Sequence, residues 1–305
     1  MLPTSMQKTL DKAAGTLGRG LRRRLTEDLR GAIGRGEMCV HYQPRISLAD
    51  GRAAGAEALL RWHHPTHGAV PPDTFIPLAE TSDLILRLGG WVLREATREA
   101  AQWPDAAGTI SVNVSARQVE CGLLPAQVAR ALAESGLPSA RLDLELTESL
   151  SLEDSPETLR MLVALRDQGI GLALDDFGTG YGSLARLRRL PFTSLKLDRS
   201  FVGNLPEDRE DAAILRAVRD LAAALRLRLV AEGVERETQR RFLTGLGCEE
   251  AQGWLFGRPV PPAELRRRWE AAPPLADSPE AFARGSACPI PALPLMAPAA
   301  AIPAG

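Results

Sequence analysis

From about residue 39 to residue 255 the chain alternates short apolar runs of strand character with longer stretches of helical periodicity. Strand candidates fall near 39–43, 53–60, 109–114, 142–146, 170–174, 194–197, 227–231 and 250–255. One intervening helix is sharply bounded. Ser155 can cap it, Pro156 suits its first turn, Leu159, Leu162 and Val163 share a face, and Gly169 ends it. A second places Ile214, Leu215, Val218, Leu221, Ala222 and Leu225 at helical spacing just before the strand Leu227 to Ala231. Eight strands separated by helices predict an α/β fold, a TIM-type (β/α)8 barrel. An open doubly wound sheet is the alternative, but no Gly-x-Gly-x-x-Gly turn follows an early strand.

Polar residues recur at or near the C-terminal ends of these strands: Glu57, Asn113, Glu145, Asp175, Asp176, Lys196, Glu232 and Gln252. A parallel barrel brings those ends together at one mouth, so residues far apart in sequence converge on a single polar pocket. The doublet Asp175-Asp176 closes the apolar run Ile170 to Leu174 and opens into Phe177-Gly178-Thr179-Gly180-Tyr181-Gly182. It offers two hard oxygen ligands beside glycines that let backbone approach a bulky ligand. Taken singly each residue has an ordinary explanation, such as a rim charge, a turn former or a cap. Their recurrence does not, because crowded carboxylates repel one another unless a cation neutralises them. All-oxygen donors favour magnesium or manganese over zinc. His41, His63, His64 and His67 are not read as zinc ligands. His63 and His64 are adjacent and point in different directions on any regular element, and His67 belongs to the turn Pro65-Thr66-His67-Gly68.

The 305 residues are 45% hydrophobic and 25% charged with a formal net charge of -1, which describes a globular chain with ample core and no affinity for duplex nucleic acid. Cys39, Cys121, Cys248 and Cys288 lack metal or redox spacing. Without a signal peptide or an apolar run able to span a bilayer, the chain reads as a reduced cytoplasmic protein. Residues 1–24, ending in the basic cluster Arg19, Arg22, Arg23 and Arg24, read as a linker or leading helix. Residues 272–305, rich in Pro and Ala, read as a disordered tail.

Seven motifs in order resemble those of the EAL-domain cyclic di-GMP phosphodiesterases, over about residues 24–270. They are Tyr42-Gln43-Pro44 with Glu57-Ala58-Leu59-Leu60-Arg61-Trp62, Asn113-Val114-Ser115-Ala116-Arg117-Gln118, Glu145-Leu146-Thr147-Glu148, Asp175-Asp176-Phe177-Gly178-Thr179-Gly180-Tyr181, Leu195-Lys196-Leu197-Asp198-Arg199-Ser200-Phe201, Ala231-Glu232-Gly233-Val234-Glu235 and Gln252-Gly253-Trp254-Leu255-Phe256. The resemblance implies a modified barrel over residues 25–271 whose first strand runs antiparallel to the rest. It implies two Mg2+ or Mn2+ ions per active site, one held by Glu57, Asn113, Glu145 and Asp175 and the second by Asp175 and Asp176. Lys196 and Glu232 join Glu57 and Asp175 in the catalytic set, Gln252 completes the polar shell, and Glu148 steadies the glycine-rich loop. Gln43, Arg61, Asp198 and Glu235 would grip cyclic di-GMP, and the product would be linear pGpG. A homodimer through the barrel is also implied. Gly182, Arg45 and Trp254 depart from the family pattern without removing a ligand. A catalytically silent cyclic di-GMP receptor is the alternative function, against which the filled metal and lysine positions argue.

Overall fold

The computed structural model describes residues 18–104, 107–147, 155–178 and 184–271. The elements follow in the order α1 (Arg19–Leu29), β1 (Met38–Ser47), β2 (Ala53–His64), β3 (Gly68–Val70), α2 (Pro72–Glu80), α3 (Leu84–Ala100) and β4 (Thr109–Val114). Next come α4 (Ala116–Glu120), α5 (Leu124–Ser135), β5 (Leu142–Thr147), α6 (Pro156–Asp167), β6 (Gly171–Phe177), α7 (Leu184–Arg189), β7 (Ser194–Leu197) and α8 (Arg199–Val202). The described chain ends with α9 (Arg209–Ala224), β8 (Arg228–Ala231), α10 (Glu237–Leu246), β9 (Glu250–Gln252) and α11 (Pro262–Ala271). The sheet order β1-β9-β8-β7-β6-β5-β4-β2 closes on itself through β1–β2, giving eight strands in a barrel with β3 hung on β2. β1 is antiparallel to both β2 and β9, whereas β2 and β4 through β9 run parallel.

The strands obey period-two alternation, with the apolar set facing the surrounding helices. Leu142, Leu144 and Leu146 on β5 are level with Leu172 and Leu174 on β6 and with Ile110, Val112 and Val114 on β4, and all are buried in one core cluster. The residues between them point into the barrel and are polar or small: Ser111 and Asn113, Asp143 and Glu145, Gly171 and Asp175, Ser194 and Lys196. The helix expected from Ser155 forms as the sequence demands. The Ser155 hydroxyl accepts from Thr158 N at 3.3 Å, and Gly169 takes a positive φ of 90° that only glycine adopts at low cost.

Toward the base, the barrel interior is filled by ion pairs. Arg45, 1% exposed, lies 3.3 Å from Asp143 Oδ2 and 3.7 Å from Glu250 Oε2. Arg228 closes the same network at 2.9 Å from Glu250 Oε1 and 3.5 Å from Asp143 Oδ2, and the Thr109 hydroxyl donates to Asp143 at 2.6 Å. Gly171 makes room for it, since a Cβ there would sit 1.7 Å from Asp143 Oδ1.

A second apolar cluster lies under α1 and α2, where Leu25, Leu29, Met38, Trp62, Phe75 and Leu78 are buried. Trp62 meets the Phe75 ring edge-on at 5.7 Å and donates to Glu37 Oε2 at 3.0 Å.

The structure departs from the sequence reading at several strand ends, among them that of β6, which runs on to Phe177 rather than stopping at residue 174. β1 and β2 are longer than expected, so Glu57 sits in the middle of β2 rather than near its end. β3 was not foreseen. β9 stops at Gln252 instead of running to residue 255, because the Gly253 backbone is pressed on Val234, whose carbonyl would lie 2.1 Å from any Cβ, and the chain turns away. At the start of the chain, the basic cluster belongs to α1, which covers the second apolar cluster with Leu25 and Leu29.

Candidate active site

Lys196 is the centre on which the predicted residues converge. It lies on β7, inward-facing and 1% exposed. Its Nζ is 2.7 Å from Glu145 Oε2 on β5, 2.7 Å from Glu232 Oε1 just past β8, 3.2 Å from Asp175 Oδ1 on β6 and 3.8 Å from Glu57 Oε2 on β2. Glu57 is held from two further sides. Asn113 Nδ2 on β4 donates to its Oε1 at 2.7 Å, and Gln252 Nε2 on β9 donates to its Oε2 at 2.7 Å. Six strands thus contribute to one cluster, with Glu232 following directly on β8.

The doublet poses a geometric problem, since consecutive residues on a strand face opposite sides. Two local irregularities solve it. The β6–β7 register shifts between Leu174 and Phe177, and Asp176 takes φ 55°, a left-handed conformation rare outside glycine. Asp176 consequently shares the field of Asp175, Asp198 and Lys196. Its backbone N–H also donates to Asp175 Oδ1 at 3.0 Å.

Five carboxylates around one buried ammonium set the electrostatics. Burial would raise the Glu57 carboxyl, but Lys196 and the amides of Gln252 and Asn113 outweigh it and hold it below the usual range. Glu145 is pushed well above that range by burial, with Glu57, Asp175 and Glu232 adding to the effect against Lys196. Burial raises Glu232 to about 7 and Asp176 to about 6, with Asp175 adding to both. Burial opposes the charge of Lys196, yet Asp175, Glu145, Glu232 and Glu57 together raise its pKa well above the ordinary value. The Oε1 atoms of Glu145 and Gln252 are buried without a hydrogen-bond partner. Excess negative charge, hard oxygen donors and orphaned acceptors are what a pair of hard divalent cations would satisfy.

The residues expected to grip substrate ring this cluster. Gln43, opposite Glu57 on the β1–β2 ladder, accepts from Gln252 Nε2 at 3.0 Å and donates to the Gly257 carbonyl at 3.1 Å. Arg61 lies on the same face of β2, half-buried, with Nη1 donating to the Leu60 carbonyl at 2.9 Å. Asp198 caps α8 by accepting from Ser200 N at 2.9 Å, and Glu235 is exposed after Val234. Glu148 and Gly182 lie outside the described residues. Trp254, 55% exposed, carries the Arg258 guanidinium 4.0 Å from its ring centre.

Two features escaped the sequence reading. Arg45 stands out in the sequence only as a departure from the family pattern, although its spacing of two from Gln43 on a strand signals an inward side chain. The histidines divide as their adjacency implied. His64 is tied to Asp28 at 3.2 Å and accepts from the backbone N–H groups of Thr66 and His67. His63 instead faces the inner side of the hairpin, together with His41 and Cys39. Their grouping spans two strands, which is why cysteine spacing gave no sign of it.

Comparison with known proteins fits this geometry. A family model described as EAL domain matches residues 26–259. The bifunctional diguanylate cyclase/cyclic di-GMP phosphodiesterase MucR of Pseudomonas aeruginosa is 46% identical over 244 residues, covering 79% of this chain and 36% of MucR. The cyclic di-GMP phosphodiesterase NbdA of the same organism is 43% identical over 259 residues, covering 82% of this chain and 33% of NbdA. The chain therefore spans about a third of the length of these curated relatives. The solved structure described as PaMucR Phosphodiesterase, c-di-GMP complex superposes with a TM-score of 0.75 at 46% identity, covering 79% of this chain and 99% of that one. With the barrel, the antiparallel first strand and the converging carboxylates in place, the chain belongs to the EAL domain family.

Proposed function

We propose that this barrel hydrolyses cyclic di-GMP to linear pGpG with the help of two Mg2+ or Mn2+ ions. The observation that carries the reading is the convergence of Glu57, Glu145, Asp175 and Glu232 around the buried Lys196, with Asp176 in the same electrostatic field, in a chain 46% identical to a phosphodiesterase solved with c-di-GMP. Glu57, Asn113, Glu145 and Asp175 would hold one ion, and Asp175 with Asp176 the other. Bound there, the ions would supply an activated water and charge stabilisation for in-line displacement at phosphorus.

The protein's own groups do the rest. The Lys196 ammonium, held on several sides by carboxylates, cannot swing away and keeps a fixed positive charge for the phosphoryl oxygens. Glu232, with its carboxyl near 7, can take up or give back a proton at neutral pH without leaving the cluster. Gln252 and Asn113 fix the two Glu57 oxygens in place. Arg61 presents a planar pair of donors to a phosphate, while Asp198 and Glu235 can accept from guanine N–H groups and Gln43 can hydrogen-bond the nucleotide. The proposal includes a homodimer formed through the barrel, which sedimentation of the purified chain would test as a doubling of mass.

The decisive test is turnover of cyclic di-GMP with magnesium, with manganese and with chelator, following pGpG by chromatography beside Asp175→Ala. Metal-dependent pGpG that disappears in the variant supports the reading. Cyclic di-GMP bound in calorimetry without any product under either metal overturns it in favour of a receptor.

A further inference from the structure

The β1–β2 hairpin continues beyond the rung that pairs Gln43 with Glu57 and forms a wall above the mouth. Counting along its inner face, β1 presents His41 and then Cys39, while β2 presents Leu59, Arg61 and then His63. At about 3.3 Å per residue, His41 lies roughly 7 Å, Cys39 roughly 13 Å and His63 roughly 20 Å along the strands from the Gln43–Glu57 rung. Cys39 stands opposite Arg61, at a level between His41 and His63, whose backbone N–H bonds the Glu37 carbonyl one step further out.

The thiol of Cys39 and the imidazoles of His41 and His63 bring their ligand atoms within 4.8 Å of one another. Closed tetrahedral zinc geometry needs ligand-atom separations of about 3.3–3.6 Å, given Zn–S near 2.3 Å and Zn–N near 2.0–2.1 Å. Rotamer adjustments of about 1 Å therefore suffice, and His63 is exposed enough to make them. Among the described residues, no hydrogen bond engages the Cys39 thiol or the His63 ring, whereas both nitrogens of neighbouring His64 are used. The backbone carbonyl of Pro259 lies beside the His41 ring. A neutral imidazole that spends its N–H on a carbonyl keeps the other nitrogen as a lone-pair donor, the arrangement that orients histidines toward metals.

We propose that Cys39, His41 and His63 form a three-ligand site for a soft or borderline cation, zinc first, with water in the fourth position. The donor set is chemically distinct from the oxygen cluster around Lys196, because one thiolate and two imidazoles select zinc, and cobalt as its probe, over magnesium. Binding displaces the thiol proton to solvent and forms one metal–sulfur and two metal–nitrogen bonds without any redox change.

Cobalt(II) titration of the full chain in excess magnesium separates this site from the oxygen cluster, since only a thiolate gives a near-ultraviolet sulfur-to-cobalt charge-transfer band. One equivalent should produce that band with intense visible absorption of tetrahedral cobalt, and zinc should abolish both. Asp175→Ala should retain the band, Cys39→Ser should lose it, and the exposed His63→Ala should weaken cobalt affinity by at least about tenfold. Absence of the band in the unaltered chain, its survival in Cys39→Ser, or undiminished affinity in His63→Ala would each overturn the assignment. None of these readouts depends on nucleotide turnover.

Discussion

Glu232 and Asp176 hold their protons well past the pH at which ordinary carboxylates lose them, about 7 against 4.5 and about 6 against 3.8. The sign of the consequence follows from linkage. Between roughly pH 4 and 7 the unfolded chain has released protons that the folded chain retains, so stability without divalent ions falls as pH rises through that window and levels off above it. Divalent ions need the ionised carboxylates, so their binding tightens over the same interval. Thermal unfolding from pH 5 to 8, with and without manganese, should show a stabilisation that grows with pH; a pH-independent increment would contradict the assignment of these two carboxyls. Lys196→Met leaves the surrounding carboxylates without their shared countercharge and should cost about 3–5 kcal/mol of stability without divalent ions. Manganese should restore part of that loss, while pGpG formation falls at least about 100-fold. Denaturant titration and turnover on one preparation check both. At this scale the sequence was informative about the mouth, since Glu57, Asn113, Glu145, Asp175, Lys196, Glu232 and Gln252 do meet. It was silent on how Asp176 joins them, because a left-handed aspartate and a shifted register leave no mark in residue type.

Among the elements, the strands show what periodicity can and cannot convey. The runs 109–114, 142–146 and 194–197 were legible because their outward positions are consistently apolar and their inward ones polar. The ends of β1, β2 and β9 were not, since they are decided by contacts with other strands: β1 runs on past Pro44 as far as Ser47, joining β9 as well as β2, and Gly253 is turned out by Val234. The base network was likewise invisible from any one strand, since Arg45, Asp143, Arg228 and Glu250 come from four. Gly171→Ala drives a methyl group into the Asp143 carboxylate and should destabilise the barrel by about 1–3 kcal/mol. Arg45→Met removes one partner from a buried ion network and should cost about 3–5 kcal/mol. Chemical denaturation measures both, and an effect of Arg45→Met below that of a typical surface substitution would show the base to be held by packing alone.

For the molecule as a whole, the barrel core and the cluster beneath α1 and α2 are separate apolar bodies that share β2. Trp62 faces the smaller one, five positions along from Glu57, so the same strand anchors the lid of one and the chemistry of the other. Phe75→Ala empties the space against Trp62 and should lower stability by about 3–5 kcal/mol, with turnover per folded molecule unchanged at temperatures well below the transition. The barrel closes where Gln43 on β1 meets Gln252 on β9, a sequence separation of 209 residues. Synthesis at about 5–20 residues per second puts roughly 10–40 s between the emergence of the two partners from the ribosome. During that interval the first hairpin has one open edge and no neighbour to cover it. Asp143 follows Arg45 by 98 residues and emerges about halfway through that interval; until then Arg45 has neither acidic partner, and its charge on the open strand disfavours premature strand addition, with Glu250 completing the network only when the last strand arrives.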